Sequence, residues 1–476
     1  MENENKTNRM LVSDLPSFVG KTVRVCGWVQ TVRTHGKIIF FDLRDRSGVI
    51  QTVFIPKNKD FEIAKTVRSE WVVAITGTVN ERPAAMVNDQ IATGKIELFA
   101  EGMEVFSKAE TLPISIDTDG YEISEEHRLK YRYLDLRRAR LHRNLIIRHK
   151  VINFMRQFLT SEGFVEVETP LLIKSTPEGA REFLVPSRLQ PGNFYAMPQS
   201  PQQFKQLLMV SGIERYFQIA RCMRDEDPRA DRQAEHTQLD MEMSFMSQEE
   251  ILDLTEKLYI AIVKTLFPEK TITQIPFPRL TWQESQDLYG SDKPDLRKDK
   301  NDTNEIAFGF IVDFPMFEWL PGDKKWKAMH HPFTMPQTDD VAELKSNTGK
   351  VLGYQYDLVA NGYELGSGSI RNTNMDLFKS VCEIVGVPEA EARQKFSHYF
   401  EAFSYGVPPH GGMAPGIDRF LAVALNEPNI REVIAFPKTG DNKDLMLGAP
   451  SEVSEAQLRE LGICLEPKKT LKQSDK

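Results

Sequence analysis

The run Arg215–Phe245, RYFQIARCMRDEDPRADRQAEHTQLDMEMSF, constrains the fold more than any other part of this chain. Its spacing predicts two strands joined by a loop. In the first arm Tyr216, Gln218, Ala220, Cys222 and Arg224 share one face. In the second, Gln238, Asp240, Glu242 and Ser244 share one face, while Leu239, Met241, Met243 and Phe245 fill the other. Between them lies DEDPRADRQA, longer than the two to five residues usual for a hairpin. A loop crowded with both charge signs, held between strands with an apolar back, suits gripping a polyanion. Arg224 ends the first arm pointing the same way as Gln218, where a guanidinium can take a phosphate through two parallel hydrogen bonds. A solvated charged hairpin would read the same way, so the rest of the chain has to decide.

A length of 476 residues suits two or three domains, and 41% apolar with 27% charged residues is the balance of a soluble globular protein. No run approaches the length of a membrane-spanning helix, and the polar start MENENKTNRM fits neither a secretory signal nor an Arg-rich transit peptide. A cytoplasmic address without membrane contact is the expectation. Cys26, Cys222, Cys382 and Cys464 are scattered and form no CxxC pair, so no zinc site is expected. The net charge of −8 argues only weakly against nucleic acid, because a basic face can sit on an acidic body.

Taken in order, residues 1–9 read as a disordered tail. From Lys21 to Phe106 short alternating strands with Gly turns predict a small β-barrel, with one helix between Asp60 and Ser69. Leu145–Leu159 reads as a helix with Ile147, Val151, Phe154, Met155 and Phe158 along one face, followed by VEVETPLL as a strand. A further helix starts after Pro201 and carries Gln202 and Lys205, and another spans Glu249–Leu266. Strand alternation sets Glu364 and Arg371 on opposite faces. For both to serve one pocket, the chain must bulge or twist at Gly366 and Gly368. GGMAPGIDRFLAVAL reads as a glycine-rich turn entering a helix, with Ile417, Phe420, Leu421 and Ala424 buried and Arg419 turned away from the core.

RCMRDEDPRADRQAEHTQLDME resembles the second signature motif of class II aminoacyl-tRNA synthetases, in the form carried by the bacterial-type aspartyl enzymes. The match continues, in chain order, through LKYRYLDLRR, ETPLLIKSTPEGAREFLVPSR, MPQSPQQFKQLLM, AMHHPFT, NGYELGSGSIR and GGMAPGIDRF. The resemblance implies an α+β protein. An OB-fold anticodon-binding barrel at 10–107 and a hinge at 108–140 precede a class II catalytic domain at 141–476, an antiparallel sheet flanked by helices. In this reading the basic stretch HRLKYRYLDLRR of the hinge touches the tRNA backbone, and the helix at 145–159 with its strand builds a homodimer interface. Only KDKNDTNEIAFGF separates Arg297 from IVDFPMF, so the large inserted domain usual in the family is missing, reduced to about 298–310. Whatever tRNA or partner contact that domain makes elsewhere is thereby in doubt.

The resemblance also implies residue roles. Arg224 holds the α-phosphate of ATP; Arg419 lies over the adenine and reaches the γ-phosphate; Glu364 completes the catalytic set. Asp225, Glu226, Gln233, Gly416, Ile417 and Asp418 belong to the ATP site, as does His236, which stands where relatives usually carry a stacking Phe. Asp357 and Glu364, assisted by Ser367, carry Mg²⁺. Lys205 and Arg371 clasp the side chain of L-aspartate, Glu178 and Gln202 lie near its α-amino group, Asp240 orients the cations and His330 closes over the substrate, with Arg224 reaching it too. A buried carboxylate has to be paired, and two cations suit aspartate better than asparagine or lysine. In the barrel, Arg33, His35, Phe40 and Gln51 are expected to cluster on neighbouring strands, where an aromatic platform with polar neighbours can stack and sort unpaired bases. His35 stands where strictly aspartate-specific enzymes typically have Leu. An imidazole can donate or accept a hydrogen bond, which implies charging of both tRNA(Asp) and tRNA(Asn), the latter product feeding a separate amidotransferase. The alternatives are a strictly tRNA(Asp)-specific enzyme, an asparaginyl or lysyl enzyme, an AMP-forming aspartate or asparagine ligase that has left tRNA behind, and a catalytically dead RNA-binding scaffold.

Overall fold

The computed structural model describes residues 9–175, 180–226 and 232–466, and the chain divides into two compact units, Met1–Ser115 and Ile116–Lys476. In the first, strands β1 (Arg9–Met10), β2 (Thr22–His35), β3 (Ile38–Asp45), β4 (Gly48–Phe54), β5 (Val72–Glu81) and β6 (Ile96–Ser107) run in the order β1-β2-β3-β4-β6-β5. β5 pairs back onto β2 and closes the barrel. The alternation read from the sequence is what fills it: Ile39, Phe41 and Leu43 of β3 point inward with Val25, Ile50, Ile75 and Leu98. A short helix, α1 (Phe61–Ala64), lies where the spacing placed one. Arg9, expected in the disordered tail, belongs to β1 instead; the rest of that expectation lies outside the described residues.

The second unit is built on an eight-stranded sheet. Its strands are β7 (Val165–Glu166), β8 (Arg215–Met223), β9 (Glu235–Ser244), β10 (Arg279–Thr281), β11 (Phe308–Pro315), β12 (Leu352–Ala360), β13 (Tyr363–Ile370) and β14 (His410–Pro415). They lie in the order β10-β11-β12-β13-β14-β9-β8-β7, antiparallel except for the outer pairs β10–β11 and β7–β8, which are parallel. One face is covered by helices α2 (Ala139–Ser161), α4 (Gln248–Leu266) and α5 (Ile417–Leu425); between them in the chain comes α3 (Gln202–Val210). Leu239, Met241 and Met243 of β9 meet Val151, Met155 and Leu159 of α2 and Leu258 and Ile262 of α4 in one core. Ile417, Phe420 and Leu421 of α5 complete it. Phe245 is a correction: β9 ends at Ser244, and Phe245 turns out at φ +59° with its ring exposed.

The glycine-rich HGGMAP is also not a turn. It is strand β14, threaded between β9 and β13, and the glycines are there for close approach. A Cβ at Gly412 would sit 2.1 Å from Met241 O and 2.1 Å from Glu242 Oε2.

In the basic stretch before α2, Arg128, Arg132 and Arg138 are buried, as is Arg140 in the first turn of α2, while His127 and Lys130 are exposed. Arg132 donates to Asp135 at 2.8 Å and to the carbonyls of Arg431 and Ile434. Arg140 donates to Glu427 at 2.5 Å and Glu432 at 2.9 Å; Arg128 also reaches Glu432. These charges are solvated by protein: guanidinium donors fan out to carbonyls and acids that a helix and an irregular segment leave unpaired. The result clamps residues 427–435 against the start of α2.

Candidate active site

The polar face of the sheet floors a cavity of about 450 Å³. β8 and β9 pair with Gln218 opposite Asp240, Ala220 opposite Gln238 and Cys222 opposite His236, so alternate side chains of β9 project into it. Arg224, Glu226, Gln233, His236, Asp240, Gln202, Lys205, His330, Arg371, Asp357, Glu364, Ser367, Gly416, Asp418 and Arg419 all line this one space. Of the remaining expected residues, Ile417 does not face the cavity with its side chain, which is fully buried in the helix-side core. Asp225 is outside the lining too, its N–H donating to Arg181 O at 3.0 Å. Glu178 lies outside the described residues.

One end of the cavity holds a buried charge array. Lys205 Nζ, on the polar side of α3, donates to Asp240 Oδ1 at 2.8 Å and lies 3.3 Å from Glu242. Arg371 donates from Nε and Nη2 to the two oxygens of Glu242 at 2.7 and 2.9 Å, and from Nη1 to Ser369 Oγ at 2.6 Å. Burial alone would raise the Glu242 carboxyl, but Arg371 and then Lys205 outweigh it and hold its pKa at about 2. Asp240 goes the other way, raised by burial against the pull of Lys205, and its Oδ2 is buried without a protein partner. Arg371 Nη1 also lies 3.2 Å from His331 Nε2. A guanidinium can only donate, so that imidazole nitrogen accepts and the ring is neutral; burial, His330 and Arg371 keep its pKa well below the ordinary value.

Glu242 and His331 are the functional candidates that the sequence reading missed. The alternation of QLDMEMS already put Glu242 beside Asp240, and that was the available signal. His331 carried none, since two adjacent histidines cannot be told apart without the neighbouring strand.

Both Glu364 and Arg371 reach the cavity because β13 bulges. The register against β12 shifts so that Leu358 faces Gly366 while Val359 faces Glu364, leaving Leu365 as the extra residue. The irregularity sits immediately before Gly366, not at Gly368.

The other end is more open. Arg419 Nη1 donates to Glu364 O at 2.8 Å and lies 3.7 Å from its carboxylate. Gln233 accepts from Lys438 N–H at 2.8 Å. His236 faces Arg224 and Arg419; crowding by the cavity walls, then these two cations, lower its pKa to about 3. Asp357 is buried beside Glu364 with Oδ1 unpartnered, and burial and the neighbouring carboxylate push its pKa well up. Two neighbouring carboxylates that raise each other's cost of ionising, with the Ser367 hydroxyl 3.3 Å from Glu364, are the oxygen donors that a hard divalent cation such as Mg²⁺ takes. Among the described residues there is no cluster of three or more His, Cys, Asp or Glu side chains able to hold a metal.

In the barrel, Arg33, Phe40 and Gln51 meet on one outward face. Arg33 pairs with Phe40 across β2–β3, and its guanidinium donates to Asp42 at 2.7 Å and Gln51 at 3.2 Å. His35 ends β2, exposed, at the two-residue turn Gly36–Lys37.

Residues 124–440 match the family described as class II tRNA synthetases (D, K and N), and residues 23–106 match the OB-fold nucleic acid binding domain. The chain is a class II aminoacyl-tRNA synthetase. The aspartate–tRNA(Asp/Asn) ligase of Rubrobacter xylanophilus is 42% identical to this synthetase, covering 95% of the chain and 96% of the relative. The enzyme of the same name from Thermosynechococcus vestitus is 41% identical over 94% and 95%. The Rubrobacter alignment runs over 577 positions against the 476 residues of this synthetase. Asparaginyl-tRNA synthetase of Pyrococcus horikoshii, solved with asparaginyl-adenylate, shares the fold at a TM-score of 0.74 with 23% identity, covering 91% of this chain and 98% of that one. No helix among the described residues is long and apolar enough to cross a membrane.

Proposed function

We propose that this synthetase activates L-aspartate with ATP and transfers it to both tRNA(Asp) and tRNA(Asn). The observation that carries the amino-acid choice is the pair Lys205 and Arg371, buried at one end of the cavity and fixed in place by Asp240 and Glu242. A substrate side-chain carboxylate set against these two cations keeps its charge paired, whereas a neutral amide gains no such pairing. The unpartnered Asp240 Oδ2 is free to accept from the α-ammonium group.

In the reaction the α-carboxylate of aspartate attacks the α-phosphorus of ATP, pyrophosphate leaves, and the 3′-terminal ribose hydroxyl of tRNA then takes the aspartyl group from AMP. Arg224 neutralises charge building on the α-phosphate, and Arg419, steadied by Glu364, holds the far phosphates against the adenine, which lies on His236. Asp357 and Glu364, with Ser367, would hold Mg²⁺, which when bound offsets phosphate charge and leaves the side chains to do the positioning. No general base or nucleophile is needed, because the work is alignment of two anions.

The Arg33–Phe40–Gln51 face of the barrel, with His35 at its rim, supports anticodon reading there. The relatives named as Asp/Asn ligases support the relaxed tRNA choice, with the Asp-tRNA(Asn) product going to an amidotransferase. Exposed Ile146 on α2, exposed Val165 on the edge strand β7 and exposed Leu171 and Leu172 in the segment after it support a homodimer formed on that side. The test is aminoacylation of tRNA(Asp) and tRNA(Asn) transcripts by the purified chain. Both should be charged, and His35→Leu should lower the tRNA(Asn) reaction more than the tRNA(Asp) one. No charging of tRNA(Asn) would leave an enzyme confined to tRNA(Asp).

A further inference from the structure

The open end of the cavity rests on a tether that runs from Asp418 in its lining to Arg148 behind it. Arg148, in the first half of α2, donates from Nη1 to Asp418 Oδ1 and to Val433 O at 3.3 Å. The other oxygen of Asp418 accepts Thr237 N–H at 2.9 Å. That contact stands where β9 has run out of strand partner: β14 pairs with it only from Met241 to Ser244, and beyond this there is a single bridge, Gln238 to Gly416. The Asp418 carboxylate therefore continues the ladder that β14 leaves unfinished, and the Arg148 guanidinium fixes the carboxylate. A buried acid used in this way needs a cation, since Thr237 offers it only one donor.

The geometry is directional. Thr237 lies between His236 and Gln238, and Asp418 precedes Arg419, so the tether joins the two strips of chain that line the open end. The charge array of Lys205, Asp240, Glu242 and Arg371 shares no hydrogen bond or ion pair with it. Arg148 itself does not line the cavity.

We propose that Arg148 is a positioning residue for the nucleotide end of the site: through Asp418 it sets the spacing between α5, which carries Arg419, and β9, which carries His236. It acts on ATP without touching it and has no part in choosing the amino acid. This rests on the reading of the open end as the ATP site.

The test is ATP–pyrophosphate exchange by the full chain, with KM measured separately for ATP and aspartate, alongside calorimetric titration of ATP without amino acid. Arg148→Ala should raise the KM and Kd for ATP about tenfold, as expected when one charge-assisted contact no longer orders the site, with KM for aspartate within about twofold of the parent. Asp418→Asn should shift the same two constants in the same direction. Arg148→Lys, which keeps the charge but not the planar fork, should recover part of the ATP affinity. A merely structural role would reduce the active fraction, lowering kcat with both KM values unchanged, and that result overturns the proposal. So does an equal rise in both KM values. Should Arg148→Ala fail to give a cooperative thermal melt, Arg148→Lys decides by the same split. Failure of the parent to exchange with aspartate would count against the functional reading, while the ATP titration would still report on the tether.

Discussion

The two ends of the cavity are built differently. At the amino-acid end four charges, two of each sign, are almost fully buried and bound to one another on strands and a helix. At the end proposed for the nucleotide, Arg224, Glu364 and Arg419 are at least partly exposed and hang from a strand terminus, a bulge and a helix start, while Asp357 is buried. The first end is organised before any ligand arrives, so its energy is available for discrimination. The second leaves room for a large polyanion whose own charge completes the array. On the proposed reading, selectivity and positioning are separated in space along one sheet, with β9 contributing Glu242 and Asp240 to one and His236 to the other.

That contrast can be broken most forcefully at Arg371. Arg371→Leu leaves Glu242 and the incoming carboxylate short of a partner, a loss of roughly 3–5 kcal/mol. Steady-state exchange kinetics should show kcat/KM for aspartate falling more than about a hundredfold while KM for ATP moves little. If ATP suffers equally, the two ends are one unit.

Glu242→Gln comes next and is read through stability. The folded-state pKa of Glu242, about 2, lies below its unfolded value, so its contribution is present above the unfolded pKa and is lost as pH falls through about 4 towards 2. Acid titration of thermal stability should lose that part of its slope in the variant, a change on the order of 3 kcal/mol between neutral pH and the acid limb.

Asp357→Asn should act at the other end with the opposite sign. Its pKa is raised, so the ionised carboxylate destabilises the unliganded fold at neutral pH. The variant should melt higher without Mg²⁺, by about 1 kcal/mol, and need more Mg²⁺ for exchange. A lower melting temperature would mean the carboxylate has a partner that keeps it charged.

The smallest effect is expected at His236. A pKa lowered to about 3 keeps the ring neutral, so KM for ATP should stay flat from about pH 5.5 to 8. His236→Phe, with more stacking area, should lower that KM by about threefold. A KM that changes through the ordinary histidine range would show a titrating ring.

How much of this was legible beforehand follows the same division. The alternation in β9 announced both its faces, and helix α2 showed its apolar stripe, because periodicity is a local property. The burial of Arg128, Arg132 and Arg140 could not be read in this way, since an Arg-rich run looks solvated until carbonyls and carboxylates from a segment about three hundred residues later are brought to it. HGGMAP read as a turn because glycine usually marks one. Only the packing of Glu242 against Gly412 shows why a strand there must lack side chains. Lys205 and Gln202 on α3 had the look of surface residues, and nothing local distinguishes a polar face turned to water from one turned to a cavity. The site residues were reached by resemblance; their partners, Glu242 and His331 above all, are set by tertiary contacts.

The claim at the centre of this account is that the buried array selects a carboxylate. Amino-acid-dependent ATP–pyrophosphate exchange with the purified chain, comparing L-aspartate with L-asparagine at equal concentrations, tests it directly. Aspartate should support exchange at a rate at least about a hundredfold above asparagine, the discrimination that one unpaired buried charge can provide. Comparable exchange with asparagine would contradict the account, because Lys205 and Arg371 would then be spoken for by Asp240 and Glu242 alone and the cavity would be indifferent to the substrate's charge.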